Sequence, residues 1–217
     1  MNDAGLLALA MDPTHDLRDE AALRTVYPTL PGEASLVKVT DEVHPLYRPY
    51  IEASPFVVLA TVGRSGVDAS PRGDAPGFVR VADPRTLLLP DRRGNQRLDS
   101  LRNIIDDPRV ALLFLIPGAG ETLRVEGLAR ISTSPGLCAA LAVDGRAPAS
   151  VLVVRVNAVF FQCARAIQRA RLWDPSRHAA PGALPSPGCV LQALSEGGID
   201  GTRYDADLPA RQARTLY

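Results

Sequence analysis

DASPRGDAPGFVRVADPRTLLLPDRRGNQRLDSLRN, residues 68–103, is the stretch from which the fold of this chain can be worked out. It places two polar, glycine-bearing turns around two short apolar strands and then enters an amphipathic helix. Residues 70–74 form the first turn and residues 91–97 the second. A predicted β-hairpin joins the two turns, so we expect them to lie close together.

The two turns have the composition of an anion-binding site. The first consists of Ser70, Pro71, Arg72, Gly73 and Asp74, and the second contains Asp91, Arg92, Arg93, Gly94, Asn95 and Arg97. Glycine lets a backbone approach a ligand closely, and arginine supplies a planar fork of donors suited to phosphate. A helix beginning near Gln96 would add free N–H groups and the positive end of its dipole. The alternative is that these are ordinary solvated arginines on hairpin turns.

Short strands at hairpin spacing make up most of the middle of the chain. FVVLATV, from Phe56, is rich in β-branched and aromatic residues, and VDASPRG reads as its returning strand. FVRV, RTLLLP, RVALLFLIP, TLRVEGLARIS and SVLVVRVNAVFF follow as further strands. Gly127 interrupts the alternation of TLRVEGLARIS and predicts a β-bulge. This succession predicts an antiparallel barrel rather than a parallel βαβ sheet.

Composition limits the classes of function. The chain has 217 residues, and its 24 basic and 24 acidic side chains cancel, so it carries no electrostatic footprint for nucleic acid. Its three cysteines, with no CxxC pair, favour a reducing compartment over a disulfide framework or a zinc site. No apolar run is long enough to span a bilayer, and no secretory leader precedes the first helix. We therefore expect a cytoplasmic protein with no metal, membrane or nucleic-acid partner.

Six blocks of sequence carry a resemblance to a known family. They are SPFVVLAT from Ser54, DASPRGDAPGFV from Asp68, LPDRRGNQRLDSLRNI from Leu89, PRVALLFLIPG from Pro108, ETLRVEGLARI from Glu121 and CARAIQRARLWDP from Cys163. In this order and spacing the chain resembles the pyridoxamine 5'-phosphate oxidase-like family of FMN-binding split β-barrels, and more narrowly its actinobacterial-type flavoproteins. The resemblance implies a mainly β (α+β) fold: a six-stranded antiparallel split barrel with flanking helices.

The resemblance also implies an organisation of the whole chain. Residues 1–50 would be an N-terminal helical extension and residues 51–177 the FMN-binding barrel. Residues 178–217, a proline-rich loop and a tail, would pack on the barrel or on a dimer partner. The family pattern implies a homodimer with one FMN in each of two clefts at the subunit interface.

The implied FMN contacts fall on both turns and near the end of the barrel domain. Arg97 would hold the phosphate, supported by Arg92, Asn95 and Ser100. Ser70, Pro71 and Arg72 would run along the isoalloxazine ring, with Gly73 and Asp91 beside them. Arg171 and Trp173 would close over the flavin from the other subunit; the alternative for Trp173 is a buried packing role.

The function implied by the resemblance is an FMN-dependent oxidoreductase that moves hydride through flavin N5 to or from a small organic substrate. NAD(P)H or dioxygen would be its redox partner. No catalytic side chain is assigned, because His15, His44 and His178 all lie outside the strand blocks. Vitamin B6 oxidation is disfavoured, since the expected tyrosine-arginine-serine cluster and terminal arginine-histidine pattern are missing. The alternatives are a non-catalytic FMN-binding, storage or redox-sensing protein, and a deazaflavin or haem in place of FMN.

Overall fold

The computed structural model describes residues 3–217, which divide into two compact units at Lys38. The first unit contains helices α1 (Asp3–Ala10), α2 (Glu20–Val26) and α3 (Glu33–Val37), with a 3-10 turn at Pro13–His15. None of the side chains described in this unit is buried. Helix α2 begins at Glu20 because the Asp19 carboxylate caps it by accepting from the Ala22 amide at 2.8 Å.

The second unit, Val39–Tyr217, contains the sheet. Its strands are β1 (Phe56–Gly63), β2 (Gly66–Gly73), β3 (Arg80–Asp83), β4 (Thr86–Asp91), β5 (Arg109–Leu115), β6 (Thr122–Ser132) and β7 (Ser150–Gln162). Its helices are α4 (Arg48–Ala53), α5 (Asp99–Asp106), α6 (Pro135–Ala140), α7 (Arg165–Ala170), α8 (Pro187–Leu194) and α9 (Gly201–Arg214), with a 3-10 turn at Pro175–Arg177.

All the strand pairings are antiparallel, in the order β2-β1-β5-β6-β7-β4-β3. This arrangement, with its flanking helices, is the predicted α+β split barrel. The seven strands exceed by one the six that the resemblance implied, and the shortest of them, the four-residue β3, pairs only with β4 at the edge of the sheet.

Alternating side chains of the strands form the core. On β1, β5 and β6 every second residue is buried, including Leu59, Leu112, Phe114 and Val125. The nearly continuous apolar run of β5 predicted burial on both faces, but the residues between its buried positions are only partly buried. The bulge at Gly127 is confirmed, since the β6–β7 register shifts between Glu126 and Gly127.

The C-terminal residues contain a helix that the sequence pattern did not reveal. Residues 178–217 were expected to be a proline-rich loop and a tail, but α9 occupies most of the segment after α8, with the Asp200 carboxylate accepting from the Arg203 amide at 3.0 Å. Its polar composition and the internal Pro209 conceal the helical pattern. Over residues 3–217, no helix has the length and hydropathy to cross a membrane.

Candidate functional site

A cleft of about 510 Å³ opens beside β2 and the loop that joins β4 to α5. Its lining includes nine of the eleven predicted cofactor contacts: Ser70, Pro71, Arg72, Gly73, Asp91, Arg92, Asn95, Arg97 and Ser100. The remaining two, Arg171 and Trp173, do not line it. The first predicted turn is wrong as a turn, because residues 70–73 are the end of strand β2. The prediction that this segment lies close to the second turn is correct, since both contribute to one cavity.

The curl of the sheet brings the two segments together. Strands β2 and β4 are separated by four other strands in the sheet order, yet Arg72 of β2 donates through an Nη nitrogen to the Asp91 Oδ1 of β4 at 2.5 Å. Both side chains are mostly buried, with 19% and 16% of their surface exposed. The Nε of Arg72 is also buried, and it has no hydrogen-bond partner within the described part of the chain. A buried donor without an acceptor is costly, and this atom has almost no accessible surface, so a ligand in the cleft would reach it only after the Arg72 side chain moved.

Arg92 is held by the protein itself. Its Nε donates to Asp74 Oδ2 at 2.7 Å, and its guanidinium also donates to the Leu141 carbonyl at 2.8 Å. The Asp74 side chain is only 2% exposed, and it accepts further hydrogen bonds from the Tyr217 hydroxyl and the Ala75 amide, both at 2.7 Å. Arg92 therefore braces the loop that follows β4.

The charge of Asp74 is maintained in spite of its burial. Burial alone would raise the pKa of this carboxyl, but the hydrogen bonds from Tyr217 and Ala75 and the Arg92 guanidinium hold the pKa below its usual range. The pKa of the Tyr217 hydroxyl is raised, chiefly because it donates to Asp74. Asp74 therefore carries its negative charge beside the cleft, where it is paired with Arg92 and accepts a hydrogen bond from Tyr217.

Arg97 is the most accessible of the predicted phosphate ligands. Its side chain is 74% exposed, and its Nε donates to Asp99 Oδ2 at 2.8 Å. The Asn95 carboxamide oxygen accepts from the Arg97 amide at 3.1 Å, so Asn95 shapes the turn. Such an exposed pair is weak, typically contributing about 1 kcal/mol or less, and leaves Arg97 free to exchange its partner.

The helix after the second turn begins later than expected. A start near Gln96 was predicted, but α5 begins at Asp99. The reason is local: Gln96 and Leu98 have φ angles of 63° and 60°, in the left-handed region that a right-handed helix excludes. The amides of the first turn of α5 have no helical acceptor and border the cleft.

Ser100 lies in that first turn and is buried. Its hydroxyl donates to Asp68 Oδ2 at 2.6 Å, which joins α5 to β2. Deeper in the same helix, the Asn103 carboxamide donates to the Thr61 hydroxyl at 3.1 Å and fixes α5 against β1. These contacts hold the mouth of the cleft to the barrel.

Two residues outside the predicted set also line the cleft: Arg93 could bind an anion, and Asp68 would repel one. Arg93 makes no ion pair with any residue that the structure describes, and it lies next to Gly94, around which the space is open. Asp68 is also absent from the predicted cofactor contacts, because a carboxylate on a strand is not by itself typical of a ligand site. The lining carries four arginines and three aspartates, a small excess of positive charge.

Arg171 and Trp173 follow α7, away from the cleft lining. The Trp173 indole N–H donates to the Ala119 carbonyl at 2.6 Å, and Arg171 pairs with Asp174. Within one chain they therefore contact the loop between β5 and β6 and their own turn. Their contribution to a cleft of a partner subunit stays a prediction.

The described residues contain no group of three or more histidine, cysteine or acidic side chains that could hold a metal ion. The donors in the cleft are instead guanidinium groups, backbone amides, two serine hydroxyls and the carboxamides of Asn95 and Gln96. Arginine forks and helix N-termini favour a phosphate-bearing ligand. The cavity volume is within the range of small-molecule and cofactor sites, roughly 300–1,000 Å³.

The chain is a split β-barrel with an arginine- and glycine-lined cleft beside β2 and the loop that joins β4 to α5. The family described as pyridoxamine 5'-phosphate oxidase matches residues 43–163, which is more than half of the chain. The protein therefore belongs to the pyridoxamine 5'-phosphate oxidase family.

Several solved structures are similar to the chain. HupZ from Group A Streptococcus has 19% identity over 53% of this chain and 90% of its own, with a TM-score of 0.44. A protein from Clostridium acetobutylicum, related to general stress protein 26 and of the pyridoxinephosphate oxidase family, has 14% identity over 54% and 84%, with a TM-score of 0.41. An FMN-binding protein from Syntrophomonas wolfei has 9% identity over 65% and 95%, with a TM-score of 0.39. No curated protein matches the sequence.

Proposed function

We propose that this protein is an FMN-dependent oxidoreductase that acts on a small organic substrate, with NAD(P)H or dioxygen as its redox partner. The observation that supports the proposal best is the single cleft that unites both polar segments at the start of α5. Membership of the pyridoxamine 5'-phosphate oxidase family makes FMN the ligand to test first. The active form in this proposal is a cytoplasmic homodimer with FMN at the subunit interface.

The phosphate end of the ligand would lie at the second turn. Arg97 and Arg93 are the arginines with donors to offer, because one is in a weak exposed pair and the other makes no ion pair among residues 3–217. The first-turn amides of α5 and the open space at Gly94 favour close approach of an anion. Asn95 and Ser100 would support these contacts by holding the turn and the helix. Arg92 would act indirectly, through its brace on Asp74.

The ring end would lie along β2, where Ser70, Pro71, Arg72 and Gly73 border the cleft. The partly exposed guanidinium of Arg72 is a donor suited to a polar ring edge, and Asp91 orients it. Arg171 and Trp173 of a partner subunit would exclude water from the other side of the ring. In the proposed domain organisation, residues 51–177 bind FMN. Residues 1–50 and 178–217 extend that domain or the dimer.

When bound, FMN would supply a hydride acceptor at its N5 position. The residues of this chain would bind and orient the cofactor and exclude water. No histidine or cysteine lines the cleft in the described structure, so we assign no side chain to proton transfer. That same lining favours, as a second candidate, a protein that binds FMN without turning over a substrate.

The first test is an absorption spectrum of the purified protein, followed by titration with FMN and riboflavin. We expect flavin bands, release of FMN on heating, and weaker binding of riboflavin, which lacks the phosphate. Arg97→Gln should weaken FMN binding by about tenfold, since it removes a charge-assisted hydrogen bond, but should leave riboflavin binding unchanged.

The matched control is Arg109→Gln. Arg109 is as exposed as Arg97 and pairs with an aspartate two residues away, but it lies outside the cleft. A protein that neither contains nor takes up FMN would refute the proposal. If NAD(P)H does not reduce the bound FMN, and if dioxygen does not reoxidise it after photoreduction, the result would favour the non-catalytic alternative.

A further inference from the structure

A second cavity, of about 420 Å³, adjoins the cleft. The two share Arg92, Arg93, Gln96 and Ala149, so they are continuous along the second turn. The rest of the second cavity is lined by Arg146, Ala147, Pro148 and Tyr217. We call it the Arg146 pocket.

The charge of the Arg146 pocket differs from that of the cleft. Three guanidinium groups line it, and no aspartate or glutamate side chain does. The carboxylates of Asp74 and Asp144 both act on Tyr217, and Asp74 is paired with Arg92; the main-chain oxygen of Tyr217 also lies 3.5 Å from the Arg146 guanidinium. A small concave site with several cations and no acidic lining residue attracts anions.

Two of the three arginines have donors to offer. Neither Arg93 nor Arg146 forms an ion pair with another side chain in the part of the chain that is described. Arg146 has only a long 3.5 Å contact with the Tyr217 main-chain oxygen. It is presented by a tight turn in which Asp144 and Gly145 both have positive φ, 49° and 75°, and paired backbone hydrogen bonds link Val143 and Arg146.

One wall of the pocket comes from outside the family domain. The family match ends at residue 163, whereas Tyr217 lies beyond α9. Its hydroxyl reaches Asp74, and its ring lies 5.7 Å from the Arg92 guanidinium carbon. An aromatic face beside cations suits an anion that carries an organic group, since the ring offers an apolar surface.

We propose that the Arg146 pocket binds the anionic group of a small organic phosphate or carboxylate, with Arg93 and Arg146 as donors and Tyr217 as its apolar wall. The inference rests on the proposed function in one respect: since the pocket adjoins the second turn, it places this anion beside the phosphate end of FMN and not against the flavin ring. A pocket of this size accommodates a small molecule rather than a macromolecule.

The test is calorimetric titration of the FMN-loaded protein with phenyl phosphate, benzoate and the neutral benzyl alcohol. We expect one or both anions to bind and the alcohol not to bind. Arg146→Gln should weaken anion binding about tenfold and leave the affinity for FMN unchanged. Ala147→Glu, which adds a negative charge to the pocket wall, should do the same. Arg97→Gln, in the cleft only, should have no effect on anion binding to loaded protein.

The outcomes separate this inference from the FMN proposal. If the protein does not take up FMN, the same titration of the protein as purified still tests the pocket, because loss of binding in Arg146→Gln but not in Arg97→Gln would support it. Loss in Arg97→Gln alone would place the anion in the cleft and overturn the inference. Equal binding of benzyl alcohol, or no binding of either anion, would also overturn the inference. Loss of FMN affinity in Arg146→Gln would overturn it as well, because the pocket would then be the site of the FMN phosphate.

Discussion

The ion pair between Asp74 and Arg92 offers the sharpest test of the structure. The change is Asp74→Asn, which keeps the size of the side chain and its capacity to accept from the Ala75 amide but removes its charge. Asp74 is almost fully buried and Arg92 is mostly buried, so the variant leaves a guanidinium beside a neutral amide with little water to solvate it. We therefore expect a large loss of stability.

The magnitude follows from burial. Breaking a buried pair by removing one partner costs roughly 3–5 kcal/mol, and the remaining Leu141 carbonyl contact of Arg92 brings our expectation to the lower end, about 3 kcal/mol. For a chain of this size that corresponds to a fall in Tm of roughly 6–12 °C. Tyr217→Phe removes only one hydrogen bond to Asp74 and should cost about 1 kcal/mol.

The assay is urea unfolding followed by circular dichroism, with Asp99→Asn as the matched control. Asp99 pairs with an arginine in the same loop, but that pair is exposed, so its loss should cost less than about 1 kcal/mol. Equal small losses in Asp74→Asn and Asp99→Asn would refute the reasoning, because they would mean that the Asp74 pair is solvated.

The pH dependence checks the same cluster. The pKa of Asp74 is lowered in the folded protein, so its contribution is fully present above the pKa of an unfolded aspartate, about 3.9, and is lost as the pH falls through the folded value. The stability gap between wild type and Asp74→Asn should therefore be constant from about pH 5 upward and shrink below about pH 4. A gap that instead narrowed between pH 6 and 8 would assign the titration to another group.

Two further predictions concern the backbone. Gly127→Ala should destabilise the barrel by about 2 kcal/mol or more in urea unfolding, because a Cβ at this position would overlap the Arg155 carbonyl oxygen. The control is Gly136→Ala, in open space on α6, which should be neutral or stabilising. Equal effects of the two substitutions would argue against the bulge. Asp200→Ala should remove the N-cap of α9 and cost about 1 kcal/mol, seen as faster amide exchange in that helix, and unchanged exchange would contradict the cap.

The barrel could be predicted from the sequence because each strand carries its own evidence. β-Branched and aromatic residues mark β1, alternating apolar residues mark β6, and Gly127 marks the bulge, so these are all local signals. The start of α5 could not be predicted in this way. Gln96 and Leu98 are not residues that favour positive φ, and their conformation depends on the surrounding contacts. α9 was missed for the opposite reason, since its polar face and Pro209 weaken the local helical pattern.

The cleft could be predicted only in part. Its two polar segments are close in sequence, and their composition suggested an anion site. The Arg146 pocket was not predicted, because Arg146 and Tyr217 join Arg93 only through folding across about 50 and 120 positions. Neither residue belongs to a motif, so only the structure relates them.

The cleft arginines are alike in the sequence but differ in what they can bind. Burial separates them: Arg72 and Arg92 form mostly buried pairs with Asp91 and Asp74, whereas Arg97 forms an exposed pair. An anion that displaced Asp99 from Arg97 would replace an interaction of about 1 kcal/mol or less. An anion that displaced Asp74 from Arg92 would leave a buried carboxylate without its partner, at several times that cost. Phosphate binding in this cleft should therefore depend on Arg97 and its exposed neighbour Arg93, while Arg92 maintains the loop that presents them.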